Sequence, residues 1–324
     1  MTVVLTTSPG FGKHGRVPDL IAEKGWELIR CVDRDIPDGG VSEHIARADV
    51  LVVGLIPVTA GSLEGAETLK GVIKHGVGVD NIDMDACTAA GLPVMNTPGA
   101  NANAVAELAM GFMFALARHM PASHASVVAG GWDRKVGTEL SGKTLGIVGL
   151  GNIGRKLALA ARGIGMKVVA TDPYADKDFA AANGIEILEL DDTLKVSDYV
   201  SLHIFGGAEN AGLINAEKLS LMKPTACLLN LARGEVVDLD AVAAALDAGT
   251  LGGVGIDAYE TEPPDTDHPV FRHPRAVFMP HSGADTKESV ENMGLMVIED
   301  IQTLLDGGVP ARCLNGAALT GVDA

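Results

Sequence analysis

Three segments of the chain end in side chains that could do chemistry. Arg233 follows the six-residue run Ala226–Leu231 with only Ala232 between, His281 follows Phe278-Met279-Pro280, and Asp257, Glu260 and Glu262 follow Gly255-Ile256. An arginine at the end of an apolar run is poorly placed as a solvated surface charge, and its planar fork suits a carboxylate, bidentate where geometry allows. A cation for a carboxylate, an acid/base for a hydroxyl proton and a group that tunes the acid/base are what hydride exchange between a hydroxy acid and a nicotinamide requires beyond the cofactor.

A cofactor of that kind needs a loop for its pyrophosphate, and the pattern G-x-G-x-x-G occurs twice. It is Gly10-Phe11-Gly12-Lys13-His14-Gly15 and again Gly149-Leu150-Gly151-Asn152-Ile153-Gly154, each with an aspartate 18 residues past its last glycine, Asp33 and Asp172. The spacing alone does not choose between them. A dinucleotide loop needs its third glycine already inside the helix, so that the helix N-terminus faces the pyrophosphate. At the second copy a helical pattern starts at Ile153, and the preceding strand Leu145–Val148 is nearly all apolar, as a buried parallel strand should be. At the first copy Pro18 predicts a helix start beyond Gly15, and the strand before it ends in polar Thr6-Thr7-Ser8. The first copy therefore reads as a glycine-rich turn and the second as the cofactor loop. Asp172, closing Val168–Thr171, can accept from both ribose hydroxyls and would repel a 2′-phosphate, and Pro173-Tyr174 follow it with no arginine, so NAD(H) is favoured over NADP(H).

The elements that must position these residues alternate along the chain. Val3–Thr6, Glu27–Val32, Val50–Gly54, Gly71–Lys74 and Pro93–Asn96 read as strands, with helical stretches at Val17–Lys24, Glu43–Ala48 and Met84–Ala90. A second series runs through Thr144–Val148, Lys167–Thr171, Tyr199–His203, Ala226–Leu231, Gly253–Asp257 and Ala276–Met279. Alternation of this kind gives parallel sheets covered by helices on both faces, and two series give two α/β units. Long helices are expected at Asn103–His119 and Asp285–Leu305; if the second returns to the first unit, that unit is built from both chain ends, with crossings near Thr97-Pro98-Gly99 and Ser282-Gly283-Ala284 that would act as a hinge.

Composition sets limits. The 324 residues carry 25 Lys+Arg against 42 Asp+Glu, a net charge of −17, which argues against nucleic acid or an anionic membrane surface as the main partner. With 47% hydrophobic and 21% charged residues a sizeable core is affordable and disorder is not expected. No apolar run reaches about 18 residues and the start lacks a signal-like segment, so a soluble protein retained in the cytoplasm is expected. Cys31, Cys87, Cys227 and Cys313 have neither disulfide-like nor metal-ligand spacing, and no metal is expected.

The motifs G-L-G-N-I-G, N-L-A-R-G-E-V-V-D, D-A-Y-E-T-E-P-P and P-H-S-G, in this order, with Gly76–Asp83 and Val105–Ala109 upstream, resemble those of the D-isomer-specific 2-hydroxyacid dehydrogenases over roughly residues 50 to 310. The resemblance implies an α/β fold of two doubly wound parallel-sheet domains, a Rossmann NAD-binding domain over 99–284 inserted in a discontinuous flavodoxin-like substrate domain, 1–98 and 285–324. It implies Arg233 as the substrate-binding arginine, His281 as general acid in reduction and general base in oxidation, and Glu262, directly before Pro263, as its paired carboxylate ahead of the competitor Glu260. Backbone amides of Gly76, Val77 and Gly78 would bind the substrate carboxylate. Gly149, Gly151, Asn152, Ile153, Gly154, Asp172, His203, Leu231, Ala232, Asp257 and Gly283 are the positions expected at the cofactor, Asp257 near the nicotinamide. The family is usually dimeric through the region matching Asn103–Gly131, so a homodimer is expected.

Departures bear on the substrate. The family often has a proline after the residues matching His203-Ile204, where this chain has Phe205-Gly206-Gly207. Phosphoglycerate dehydrogenases often carry a phosphate-binding arginine in the segment matching Gly54–Thr59, which here has neither Arg nor Lys, and no regulatory domain is expected after residue 316. A small unphosphorylated 2-oxo or 2-hydroxy acid is therefore expected, with 3-phosphoglycerate as the alternative and an NAD(H)-sensing binding protein as the rival of a different class. Of the other histidines, His268 and His273 precede prolines in a loop, and His75 adjoins the Gly76 loop, where a substrate contact is conceivable. Trp132, in Gly130-Gly131-Trp132, is expected to anchor packing.

Overall fold

The computed structural model describes residues 1–33 and 36–320; the end of the expected substrate domain, 321–324, lies outside the described residues. The chain forms two compact units, Met1–Asn101 with Ala284–Ala324, and Ala102–Gly283. The first crossing falls after Asn101 rather than near Pro98, because the helix Ala102–Ala117 packs as part of the second unit, with Phe112 against Gly255: a Cβ there would lie 2.9 Å from the ring.

In the first unit β1 (Val3–Thr6), β2 (Glu27–Arg30), β3 (Val50–Val53), β4 (Val72–Lys74) and β5 (Val94–Met95) form a parallel sheet in the order β2-β1-β3-β4-β5. β1, β3 and β4 are buried throughout, as strands covered on both faces must be. Apolar clusters lie on the two faces: Leu5, Leu51, Val53 and Val72 point to one, Val4, Val52 and Ile73 to the other, where the helix Lys287–Leu305 contributes Val297, Ile301 and Leu304. That helix is N-capped by Thr286, whose hydroxyl accepts from the Ser289 N–H. The helix Val17–Glu23 starts beyond Gly15, with proline in its first turn. The expected helix at Glu43–Ala48 is only a single 3₁₀ turn, Ile45–Arg47, whose N-terminal flank His44 makes no side-chain cap.

In the second unit β6 (Thr144–Val148), β7 (Lys167–Thr171), β8 (Glu186–Ile187), β9 (Tyr199–Leu202), β10 (Cys227–Asn230), β11 (Gly253–Ile256) and β12 (Ala276–Phe278) form a parallel sheet in the order β12-β11-β10-β9-β6-β7-β8. The chain winds outward from β6 through β7 and β8, then crosses back to β9 on the other side of β6. The order thus reverses between β6 and β9, and open α/β sheets bind ligands at the carboxyl ends of strands flanking such a switch point.

The helix expected at Asn103–His119 is present, and a second helix follows it. Ala102–Ala117 ends, His119 takes a left-handed conformation (φ 52°), and Met120–Val128 follows with no buried residue. Trp132 is 80% exposed and anchors nothing within its unit, because Gly130 and Gly131 end the second helix and residues 132–139 run on without regular structure. All four cysteines are free. Burial pushes the Cys31 and Cys87 thiols up to about 11 and Cys227 to about 12, the behaviour of small buried hydrophobes rather than nucleophiles. No helix among the described residues is long and apolar enough to cross a membrane.

Candidate active site

The glycine loop Gly149–Gly154 leaves β6 at the switch point. A Cβ on Gly149 would lie 2.5 Å from the His203 carbonyl oxygen at the end of β9, and one on Gly154, inside the helix Asn152–Gly163, 2.2 Å from the Gly149 carbonyl oxygen. Only glycine lets the helix N-terminus sit this close to the strand ends. Gly151, by contrast, has nothing within 4 Å of where its Cβ would be, so the loop is open on the side where a pyrophosphate would lie. At the end of β7 the Asp172 carboxylate accepts from the N–H of Leu150 at 2.8 Å and of Tyr174 at 2.8 Å, which fixes it beside the loop with further lone pairs for ribose hydroxyls. This donor set and its glycine cradle fit a dinucleotide.

His203 pairs Nε2 with the Ser201 hydroxyl at 2.8 Å, while its Nδ1 is buried without a hydrogen-bond partner. Burial pushes the imidazole down to about 3, so it is neutral near pH 7. It can line the site as a neutral imidazole.

β10 ends at Asn230, whose side chain is buried and braces the turn beyond it. Its Oδ1 accepts from the Ala232 N–H at 3.1 Å and its Nδ2 donates to the Arg233 carbonyl at 2.9 Å. The Arg233 guanidinium donates through Nη1 to the Ala232 carbonyl at 2.8 Å. Leu231 and Ala232 are buried in this turn. Nothing in the sequence singles out Asn230, because a buried asparagine at a strand end looks the same whether it braces a turn or merely packs.

After β11, Tyr259 and Glu262 form the next loop. Glu262 Oε1 accepts from the Tyr259 N–H at 3.1 Å, and both carboxylate oxygens meet His281 Nδ1, at 2.7 and 2.8 Å. Glu260, the competing carboxylate, makes no hydrogen bond to His281 among the described residues. The Tyr259 hydroxyl donates to the Met279 carbonyl at 2.8 Å, tying this loop to the end of β12 just before Pro280-His281. His281 holds a left-handed backbone (φ 52°), and the residues after it are pinned by Asp257. The Ser282 and Gly283 N–H groups donate to its two oxygens at 2.8 and 2.9 Å. Burial raises the Asp257 carboxyl, against the pull of those two N–H groups. Asp257 is 3% exposed and holds the histidine loop.

The pair is arranged for proton transfer. With Nδ1 held by Glu262, His281 has Nε2 without a partner among the described residues and can exchange a proton there. Burial pushes Glu262 up, but the His281 hydrogen bond and charge, the Tyr259 N–H and the Arg233 charge together hold it below the usual carboxylate range. Because its folded-state value is depressed, the stabilisation from Glu262 is complete above the unfolded-state value of about 4.3 and is lost as the pH falls through the lower folded-state value. The Tm difference between wild type and Glu262→Gln is therefore expected to shrink as the pH falls below about 4.3. A difference that stays the same between pH 5 and about 3 overturns this assignment.

Gly76, Val77 and Gly78 lie in the first unit, on the loop after β4. Among the described residues none of their N–H groups has an acceptor, whereas the Gly76 and Val77 carbonyls are both taken. His75 is turned into its own unit: Nδ1 meets the Ser8 hydroxyl at 3.0 Å, Nε2 the Val290 carbonyl at 3.4 Å, and burial pushes it down to about 4. Among the described residues no group of three or more His, Cys, Asp or Glu could hold a metal ion.

A doubly wound sheet with a glycine loop at its switch point, and Arg, Glu and His gathered at its carboxyl edge, is a dinucleotide-binding domain of the oxidoreductase kind. The chain belongs to the D-isomer specific 2-hydroxyacid dehydrogenases: residues 110–283 match that family's NAD binding domain, and NAD is its cofactor. It is 42% identical over 302 residues to the D-3-phosphoglycerate dehydrogenase of Mycobacterium tuberculosis, covering 92% of this chain and 57% of that one. It also resembles the D-lactate dehydrogenase of Aquifex aeolicus complexed with NAD and lactic acid (TM-score 0.81, 27% identity, 94% of this chain and 96% of that one). A glyoxylate reductase from Paecilomyes thermophila is similar to the same degree (TM-score 0.82, 27% identity, 95% and 97%). The chain spans about half the length of the phosphoglycerate dehydrogenases it matches.

Proposed function

We propose that the protein interconverts a small unphosphorylated 2-oxo acid and its D-2-hydroxy acid with NAD(H). The observation that carries this reading is the His281–Glu262 pair at the same sheet edge as Arg233 and the Gly149 loop. Bound NAD(H) supplies the hydride donor or acceptor. His281 gives the proton to the carbonyl oxygen in reduction and removes it in oxidation. Glu262 holds the imidazole through Nδ1 and balances its charge, and Arg233 orients the acid and offsets negative charge developing on the oxygen. The amides of Gly76, Val77 and Gly78 bind the carboxylate. Gly149, Gly151, Asn152, Ile153, Gly154, Asp172, His203, Leu231, Ala232, Asp257 and Gly283 form the cofactor site, with Asp172 selecting NAD over its 2′-phosphorylated form.

A second reading, D-3-phosphoglycerate oxidation, is favoured by the names of the relatives; the lack of a basic residue over Gly54–Thr59 speaks against it. NADH oxidation measured with glyoxylate, hydroxypyruvate, pyruvate, 3-sulfopyruvate and 3-phosphohydroxypyruvate separates them. Turnover of an unphosphorylated acid, much weaker with NADPH, is the expected result. The phosphorylated acid leading the panel makes the second reading the right one, and tight NADH binding without any turnover moves the protein to a sensing role.

A homodimer completes the proposal. The helix Met120–Val128 buries nothing in its own unit and, with the segment after it, exposes Val127, Val128, Trp132 and Val136, an apolar strip suited to a second copy. Wild type is expected to sediment as a dimer and Val128→Glu as a folded monomer; a monomeric wild type sinks this part of the reading. A cytoplasmic setting suits a chain whose four cysteines are free thiols.

A further inference from the structure

The loop proposed to hold the substrate carboxylate is oriented by residues outside it. Thr97 is fully buried and donates twice to the Gly76 carbonyl, from its N–H at 2.8 Å and its hydroxyl at 2.9 Å. Half-buried Asn96 donates from Nδ2 to the Val77 carbonyl at 2.7 Å. A trans peptide is planar, with its C=O and N–H on opposite sides. Drawing the Gly76 oxygen toward Thr97 therefore turns the Val77 N–H away from Thr97, and drawing the Val77 oxygen toward Asn96 turns the Gly78 N–H away from Asn96. These are N–H groups without an acceptor among the described residues. Consecutive free amides make an anion-binding concavity, but only while their peptide planes keep this polarity.

The polarity is not guaranteed by the loop itself, whose two glycines impose little preference. It is also separated from its clamp by about twenty residues of sequence. The parallel pairing of β4 with β5, Val72 with Val94 and Ile73 with Met95, brings the residues following the two strands side by side. A brace of a different kind holds the far side of β4. The Lys74 ammonium donates to the Gly54 carbonyl and to Asn81 Oδ1, each at 2.6 Å, and Asn81 Nδ2 donates to the Gly54 and Ile56 carbonyls. These contacts tie neighbouring strand ends together without touching the Gly76 and Val77 carbonyls.

We propose that Asn96 and Thr97 are positioning residues for substrate binding: by occupying the Val77 and Gly76 carbonyls they set the peptide planes that present the Val77 and Gly78 amides to the carboxylate of the 2-oxo acid. The inference rests on the reading of the Gly76–Gly78 loop given above. Asn96→Asp places a second acceptor against the Val77 carbonyl and favours the opposite peptide orientation; Asn96→Ala merely removes the donor. Thr97→Val deletes one of two donors at nearly constant volume, and Thr97→Ser keeps both.

The test is binding of oxamate, a non-reducible isostere of a 2-oxo acid, to the full chain saturated with NADH, read as fluorescence quenching. Asn96→Asp is expected to weaken oxamate at least about tenfold, the effect of losing one hydrogen bond to a charged group, and Asn96→Ala and Thr97→Val by less. Thr97→Ser is expected to bind oxamate like wild type, and the NADH Kd is expected to stay within about twofold in every variant, since it is set in the other unit. Asn96→Ala and Thr97→Ser are mild enough to keep the measurement possible if Asn96→Asp does not fold. Oxamate bound equally by wild type and by the Asn96 and Thr97 variants overturns the positioning role, while leaving the loop's own role standing. Wild type that binds NADH tightly but not oxamate overturns the reading of the loop, and the proposal with it. Parallel loss of NADH and oxamate binding marks a merely structural effect and overturns the proposal as well.

Discussion

His281→Gln is expected to lower kcat for 2-oxo acid reduction by about 10²–10⁴-fold while leaving the NADH Kd within a factor of about two. Glutamine is the informative replacement. Its amide nitrogen can still donate to the Glu262 carboxylate, so the acid keeps a donor, and its own pKa gives it no proton to transfer. The cofactor loop and Asp172 lie at other strand ends and do not depend on the imidazole. Stopped-flow oxidation of bound NADH with the best substrate of the panel reads the chemical step directly. A loss below about tenfold would mean that the proton comes from elsewhere, from solvent or from the substrate itself, and that the His281–Glu262 pair is structural. A loss accompanied by weakened NADH binding would place the histidine in the cofactor site instead.

A single methyl group is expected to do nearly as much damage from outside the reacting set. Gly234 follows Arg233 where the loop after β10 crosses the loop after β11. A Cβ there would lie 1.9 Å from both the Tyr259 carbonyl carbon and the Glu260 nitrogen, backbone atoms that cannot rotate aside. Gly234→Ala must therefore push the two loops apart by more than an ångström, and they carry Arg233 on one side and Glu262 on the other. Misplacement on that scale costs about 10² in rate, so kcat/KM is expected to fall by about 10²-fold. The strain itself is expected to cost about 1–3 kcal/mol. Gly255→Ala is the control: its Cβ meets the Phe112 ring on the other side of β11, away from the loop ends, so it should lower Tm without a comparable loss of kcat/KM. Equal activity losses in the two variants would show that the effect of Gly234→Ala is loss of folded protein, not misalignment.

Both expectations draw on features of different legibility. Arg233, His281 and the choice between the two glycine fingerprints could be read from the chain because each depends on residues within a few positions: an apolar run followed by a charge, or a proline that delays a helix. Glu262 as the partner of His281 followed only from a whole-chain resemblance, since the two are nineteen residues apart and Glu260 has the same chemistry. The exposure of Trp132 went against expectation for a related reason: an indole in sequence signals burial somewhere, but not in which body.

What the sequence determined by itself is the set of local preferences: where strands and helices form, which glycine loop opens a helix, which ionisable groups stand at strand ends, and that NAD suits an aspartate with no arginine beside it. What the tertiary structure decided is the direction in which those groups act. The Thr97 hydroxyl reaches Gly76, Asp257 reaches the N–H groups of Ser282 and Gly283, and Gly234 lies against Tyr259 only because parallel pairing aligns strand ends that are far apart in the chain. Hydrogen bonds act over about 3 Å and their directions are fixed by peptide planes, so they depend on register between strands and not on composition or spacing along one of them.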